Sequence, residues 1–132
     1  MPQRFTERSR EILALAQQEA QRLNHAFICP EHVLIGMLKE GSGVAADVLR
    51  TFGMELATIR GEVEKLHKPG SEMVTMGKLP HTDETKILIE QAGQNAQTLK
   101  HSYIGTEHLL LGVLSLIRAG KAEVVDQVFE KF

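Results

Sequence analysis

Four residues combine suitable chemistry with suggestive spacing: Glu31, Glu107, Thr6 and Thr82. Glu31 and Glu107 fall in the first turn of expected helices, where the helix dipole favours a carboxylate. Thr6 and Thr82 are natural caps for two longer helices, each followed by an acid, Glu7 or Asp83. Taken singly, each has a local explanation as a cap or a helix-start acid. Taken as pairs, they place an acid near two helix starts in each half of the chain. Free N–H groups at a helix start bind phosphate-like anions, and a nearby carboxylate binds a guanidinium through two oxygens. The set suits a guest carrying a cation beside an anion, such as a modified arginine.

Other reactive residue types point to less. The chain has six histidines and a single cysteine. His25 with His32, and His101 with His108, place one imidazole in a loop and the other in a helix. No cysteine or second histidine follows at the fourth position, as it would in a common zinc pattern. The expectation is therefore histidines bonded within the helix junctions, with no metal ligands. No catalytic residue is expected. The stretch Gly112 to Lys121 lacks the spacing and the Ser/Thr of a phosphate-binding loop. Cys29 precedes Pro30 in no recognisable nucleophile context, and a dyad with His25 or His32 would face Gly105 in the second half. No cofactor is expected.

These residues sit on a sequence that repeats itself. The segment from Phe5 to Leu38 recurs 76 positions later, from His81 to Leu114, with thirteen of 34 paired positions identical. A tandem repeat means two copies of one supersecondary unit. Ile12, Leu13, Ala16, Ala20 and Leu23 share one helical face, and Leu88, Ile89, Ala92, Ala96 and Leu99 repeat it. Second helices are expected over about Pro30 to Lys39 and Thr106 to Ile117. A third spans Val44 to Phe52 and a fourth Glu55 to His67; Ala122 to Phe132 matches the third, and the fourth has no counterpart. The expected core includes Leu23/Leu99, Ile28/Ile104, Leu34/Leu110 and Leu38/Leu114. Gly36 and Gly112 lie mid-helix, where glycine costs about 1 kcal/mol against alanine, so close helix approach is expected there. Gln18/Gln94 and Gln21/Gln97 belong to solvated faces. Between the copies, Lys68 to Pro80 reads as a linker; Met73, Val74, Met76 and Leu79 make it a strap packed across the halves or, alternatively, a mobile Met-rich patch for partners. The fold class is all-α: one domain over 1–132, with repeats at 5–67 and 81–132 and the linker at 68–80.

Composition sets the outer bounds. Apolar residues make up 42% and charged residues 24%, with net charge −2, as in an ordinary globular domain. No basic face marks a nucleic-acid partner. No apolar run approaches the roughly 20 residues of a membrane span. A single cysteine fits a reducing, cytoplasmic setting.

The stretches FTERSREILALAQQEAQRLNH, PEHVLIGML and HSYIGTEHLLLGVL closely resemble the N-terminal repeat domain of Clp/Hsp100 AAA+ unfoldases, the ClpC type in particular. The resemblance spans essentially the whole chain. It implies two four-helix repeats with pseudo-twofold symmetry, and a role in receiving substrate and adaptor proteins for an ATPase ring and its partner peptidase. It further implies a phosphoarginine pocket in each repeat, with Glu31 and Glu107 on the guanidinium and Thr6 and Thr82 with their helix starts on the phosphate. Two departures stand out. Cys29-Pro30 replaces the Gly-Thr of the motif, which Gly105-Thr106 retains, and this weakens the Glu31 pocket. The last helix of the second repeat is missing, which would expose apolar surface around Val124, Val125, Val128 and Phe129, open to another copy. The rival readings are a binder of hydrophobic segments of unfolded proteins and a free-standing accessory subunit of a Clp complex.

Overall fold

A computed structural model describes residues 4–71 and 77–132. Among these, seven helices and one pair of short strands form the fold. Helices α1 (Glu7–Arg22) and α5 (Asp83–Thr98) occupy equivalent places in the two repeats. Each begins where a threonine hydroxyl accepts the N–H three residues on, Thr6 from Ser9 and Thr82 from Thr85, both at 3.2 Å. Each is followed by a left-handed residue, Asn24 at φ 57° and Lys100 at φ 59°, which turns the chain back on itself. Next come α2 (Pro30–Glu40) and α6 (Thr106–Arg118), then α3 (Val44–Thr51) and α7 (Glu123–Phe129). Helix α4 (Leu56–Leu66) has no counterpart among the described residues. No helix of the structure is long and apolar enough to cross a membrane.

Within each repeat the two long helices pack tightly, α1 on α2 and α5 on α6. Glycine makes this possible. A Cβ at Gly36 would lie 2.6 Å from the Ile12 carbonyl oxygen, and one at Gly112 only 2.4 Å from that of Leu88. Ile12, Ala16 and Ala20 therefore bury completely, as do Leu88, Ala92 and Ala96. Helix α4 is held to α1 by a buried carboxylate: Glu19 accepts from Arg60 of α4 at 2.8 and 3.0 Å and from Arg22 of its own helix at 3.1 Å. Burial pushes that carboxyl up, but the two guanidinium groups outweigh it and hold it below its usual value.

The repeats are joined at their helix starts. Strand β1 (Arg4–Phe5) runs parallel to β2 (Tyr103–Ile104), pairing Arg4 with Tyr103 and Phe5 with Ile104. A parallel bridge between Ile28 and His81 mirrors it on the other side.

Several sequence expectations need correction. Leu99 is 52% exposed and Leu114 41%, although their partners Leu23 and Leu38 are buried. Val125 and Val128 are not exposed at all, because α7 packs against α4, α2 and α6. The bare apolar surface lies instead in a groove of about 360 Å³ lined by Val48, Phe52, Leu110, Leu114, Phe129 and Phe132. Repeat symmetry explains its place. Helix α4 sits against α2 and α7, so the equivalent seat in the second repeat adjoins α6 and α3. In the linker, Leu79 is buried as expected; Met73, Val74 and Met76 lie outside the described residues.

The glycine contacts give a paired prediction. Gly36→Ala should destabilise the domain by about 1–3 kcal/mol, the usual cost of overpacking a tight core. Gly61→Ala, on α4 with no atom near its added Cβ, should stabilise by up to about 1 kcal/mol through helix propensity. Chemical denaturation of both variants would check the opposite signs.

Candidate functional site

The strand pairing decides which helix starts meet. The Thr6 N–H donates to the Ile104 carbonyl at 3.0 Å, and the Ser9 hydroxyl donates to the same oxygen at 2.8 Å. The start of α1 is thereby clipped to the segment that opens α6 and carries Glu107. The mirror arrangement holds opposite: the Thr82 N–H and the Thr85 hydroxyl donate to the Ile28 carbonyl at 3.1 and 2.8 Å. That clips the start of α5 to the start of α2, which carries Glu31. Threonine of one repeat meets acid of the other, so each cleft is built from both repeats rather than from one.

The two acids differ in their surroundings. At Gly105 an added Cβ would fall 2.3 Å from Glu107 Oε1, so the Glu107 side chain folds back over a place that only glycine leaves open. Cys29 has a Cβ there, and Glu31 turns elsewhere. It is 5% exposed and accepts a hydrogen bond from His67 Nδ1 at 2.7 Å. His67 directly follows α4, and its ring stacks on His25 with centroids 3.6 Å apart and planes 6° from parallel. Burial raises the Glu31 carboxyl, yet the His67 bond and its own backbone N–H outweigh this and leave it below the ordinary range. The cleft beside it, about 270 Å³, is lined by Cys29, Glu31, Thr82, Glu84 and Lys121 among others.

The repeated histidines form a relay in each half. The Cys29 N–H donates to His32 Nδ1 at 2.8 Å, so the proton of the neutral ring sits on Nε2. That Nε2–H donates to His25 Nδ1 at 2.8 Å, and His25 Nε2–H donates to the Lys68 carbonyl at 2.8 Å. In the second repeat the Gly105 N–H meets His108 Nδ1, and His108 Nε2 meets His101 Nδ1, both at 2.8 Å. These rings tie the loop after the first helix to the start of the second, within the helix junctions. Burial pushes His32 down to about 4 and also lowers His25 and His108. The imidazoles of His25 and His32 are thus committed, leaving neither as a base for Cys29. Burial, with Glu31 and Glu84 adding, pushes the Cys29 thiol up to about 12, the reverse of an activated nucleophile.

His67 and Lys121 escaped the sequence reading. His67 lies after the helix without a counterpart, so the repeat filter passes over it. Lys121 lies in the turn before α7 and reaches the Glu31 cleft only through packing.

Comparison with known proteins agrees with this architecture. The family model described as the Clp repeat (R) N-terminal domain matches residues 4–127. A probable ATP-dependent Clp protease ATP-binding subunit of Chlamydia pneumoniae is 46% identical over 114 residues, 86% of this chain and 14% of that protein. The chloroplastic chaperone protein ClpC of Pisum sativum is 45% identical over 128 residues, 97% of this chain and 14% of that protein. The chain thus spans about one-seventh of these relatives. Among solved structures, the N-terminal domain of ClpD from Arabidopsis thaliana matches with a TM-score of 0.75 at 24% identity, over 95% of this chain and 84% of that one. The Hsp104 N-terminal domain from Candida albicans also gives 0.75, at 18% identity, over 98% and 81%.

The histidine relays predict acid sensitivity. An unfolded imidazole titrates near 6.5 and folded His32 near 4, so as pH falls the unfolded chain takes up its proton first. This contribution to stability is whole above pH 6.5 and is lost progressively towards pH 4. The lowered carboxyls of Glu19 and Glu31 act in the same direction, from 4.5 downward. The thermal midpoint should fall between pH 7 and pH 5, and less steeply in His32→Gln. A flat profile over that range would refute the neutral relay.

Proposed function

Since the chain belongs to the Clp repeat N-terminal domain family, we propose that it is the substrate- and adaptor-recognition module of a ClpC-type ATP-dependent unfoldase, without catalytic residues of its own. Its guests would include proteins marked with phosphoarginine. The observation that carries this is the meeting of helix start and carboxylate across the repeats, Thr6 with the Glu107 segment and Thr82 with the Glu31 segment. In the first turn of α1 the Ser9 N–H is capped by Thr6, which leaves the N–H groups of Glu7 and Arg8 without an intrahelical acceptor. These, with the matching pair at α5, suit a phosphoryl group. Glu107 or Glu31 would take the guanidinium through paired charge-assisted bonds. The ATPase ring and the peptidase are partners through a longer chain or complex.

The clefts are unequal in this reading. Arg4, Arg8 and Arg10 lie in sequence at the start of α1, favouring a phosphate there, while Asp83 and Glu84 open α5, where Lys86 follows and Lys121 lines the same cleft as Glu84. Glu31 is also engaged by His67. The Glu107 cleft is the stronger site, and a guest reaching both gains from effective concentration.

The groove supports a second reading, capture of hydrophobic segments of unfolded proteins. Phe52, 64% exposed, and Leu114 line it with Phe129 and Phe132, far more bare apolar surface than a scattered residue or two. The two readings separate by competition, because phosphoarginine displaces a marked guest but leaves an unmodified hydrophobic one bound.

Calorimetry with free phosphoarginine, against arginine and phosphoserine, tests the first reading. Saturable binding that needs the whole zwitterion is expected, with Glu107→Ala removing the stronger site and Glu31→Ala only the weaker. His67→Ala should tighten the weaker site several-fold by releasing Glu31. No heat in the unsubstituted chain would leave adaptor docking and the apolar groove as the function. Phe52→Ser with Leu114→Ser should then weaken capture of a permanently unfolded protein and spare phosphoarginine binding.

A further inference from the structure

His25, Cys29, Glu31, His32 and His67 gather at one corner of the first repeat. The second repeat has Gly105 in place of Cys29 and so lacks the thiol. Two overlapping triads place their donor atoms within 4.8 Å of one another: His25, His32 and His67, and Cys29, Glu31 and His67. The first triad is unsuited to a metal. Both nitrogens of His32 and both of His25 hold bonds to backbone groups or to each other. A metal there would leave a buried N–H and a carbonyl unpaired, at roughly 1–3 kcal/mol each.

The second triad has no such obstacle. The Cys29 thiol makes only a long 3.8 Å contact with the Phe27 carbonyl. Glu31 and His67 already share one proton across 2.7 Å, a place where a cation can substitute. The stack of His67 on His25, and the relay that anchors His25, hold the imidazole in position. This is the supporting layer that orients ligands in built metal sites. Clefts border the cluster on both sides, one lined by Cys29 and Glu31 and the other by Cys29 and His67, so a fourth ligand can come from solvent.

We propose that Cys29, Glu31 and His67 form a binding site for a divalent transition metal of the zinc class, unique to the first repeat. Thiolate, imidazole and carboxylate together favour such an ion over calcium or magnesium, which prefer oxygen alone. Bonds of about 2.0–2.3 Å put tetrahedral donors about 3.3–3.8 Å apart, so Glu31 and His67 part from 2.7 Å while Cys29, within 4.8 Å of both, adjusts by side-chain rotation. On binding, the thiol and Nδ1 of His67 each release a proton to solvent, and His67 takes one up at Nε2, so that the neutral imidazole ligates through Nδ1 and one proton is released in all. A bound ion engages Glu31 and excludes a guanidinium from it, leaving Glu107 as the open acid. The departures of the first repeat, Cys29 and His67, then serve one purpose.

The test uses the untagged, reduced, metal-free chain, titrated with Co²⁺ and then Zn²⁺ and followed by absorption. The expected result is one Co²⁺ per chain with tetrahedral bands and a thiolate-to-cobalt charge-transfer band, displaced by Zn²⁺. Cys29→Ser should abolish the charge-transfer band. His67→Gln should lower zinc affinity by more than the roughly 10–100-fold that loss of an outer partner costs. Glu107→Gln should change neither, and circular dichroism should confirm that all variants fold. A missing charge-transfer band, its survival in Cys29→Ser, or unchanged affinity in His67→Gln would each overturn the site. Phosphoarginine titrated into the same metal-free chain keeps the two proposals apart. Phosphoarginine heat without a cobalt band removes the metal site alone, and a cobalt band without that heat removes the phosphoarginine reading alone.

Discussion

Two backbone bonds, from Thr6 to Ile104 and from Thr82 to Ile28, set the geometry on which everything else depends. They are short and parallel, and each is reinforced by a hydroxyl, from Ser9 or Thr85, sharing the same carbonyl. A parallel contact of this kind requires that the partner segments run in the same direction, so the start of one long helix must lie beside the start of the other repeat's second helix. Four helix N-termini are thereby gathered into two places. Each gathering concentrates positive dipole ends, and an acid in the first turn of α2 or α6 faces them.

The clips hold their places because the helices behind them cannot slide. Gly36 and Gly112 let α2 and α6 approach the backbones of α1 and α5 within a distance that no Cβ would allow. The histidine relays then fix the loop between each pair, with the tautomers of His32 and His108 set by a backbone N–H. Such a junction is rigid at neutral pH and gives way in acid, when the unfolded chain competes for the protons.

The pseudo-symmetry is broken where function has room to diverge. One sequence change, glycine to cysteine at the start of α2, denies Glu31 the position taken by Glu107. Helix α4 delivers His67 to the redirected carboxylate and at the same time packs on α2 and α7. Among the described residues, the groove between α3 and α6 is lined by exposed Phe52 and Leu114. The two acids thus differ in their surroundings, Glu31 buried against His67 and Glu107 folded back over Gly105.

Much of this was legible in the residues themselves. Helical periodicity, the threonine caps, the mid-helix glycines and the 34-residue echo determined an all-α fold of two related units, because they are local features that recur at fixed spacing. Burial was less legible: Leu99 and Leu114 read as core by analogy with Leu23 and Leu38, yet only the first repeat has a fourth helix, and the environments of the two copies differ. Convergence could not be read at all. The pairing of Thr6 with the Glu107 segment, the His67 bond to Glu31 and the place of Lys121 join residues far apart in the chain. Nothing in local periodicity encodes which distant helix start a strand will pair with. By itself the sequence determined the elements and their chemistry; the tertiary structure alone decided which of them meet, because that choice rests on packing between the repeats.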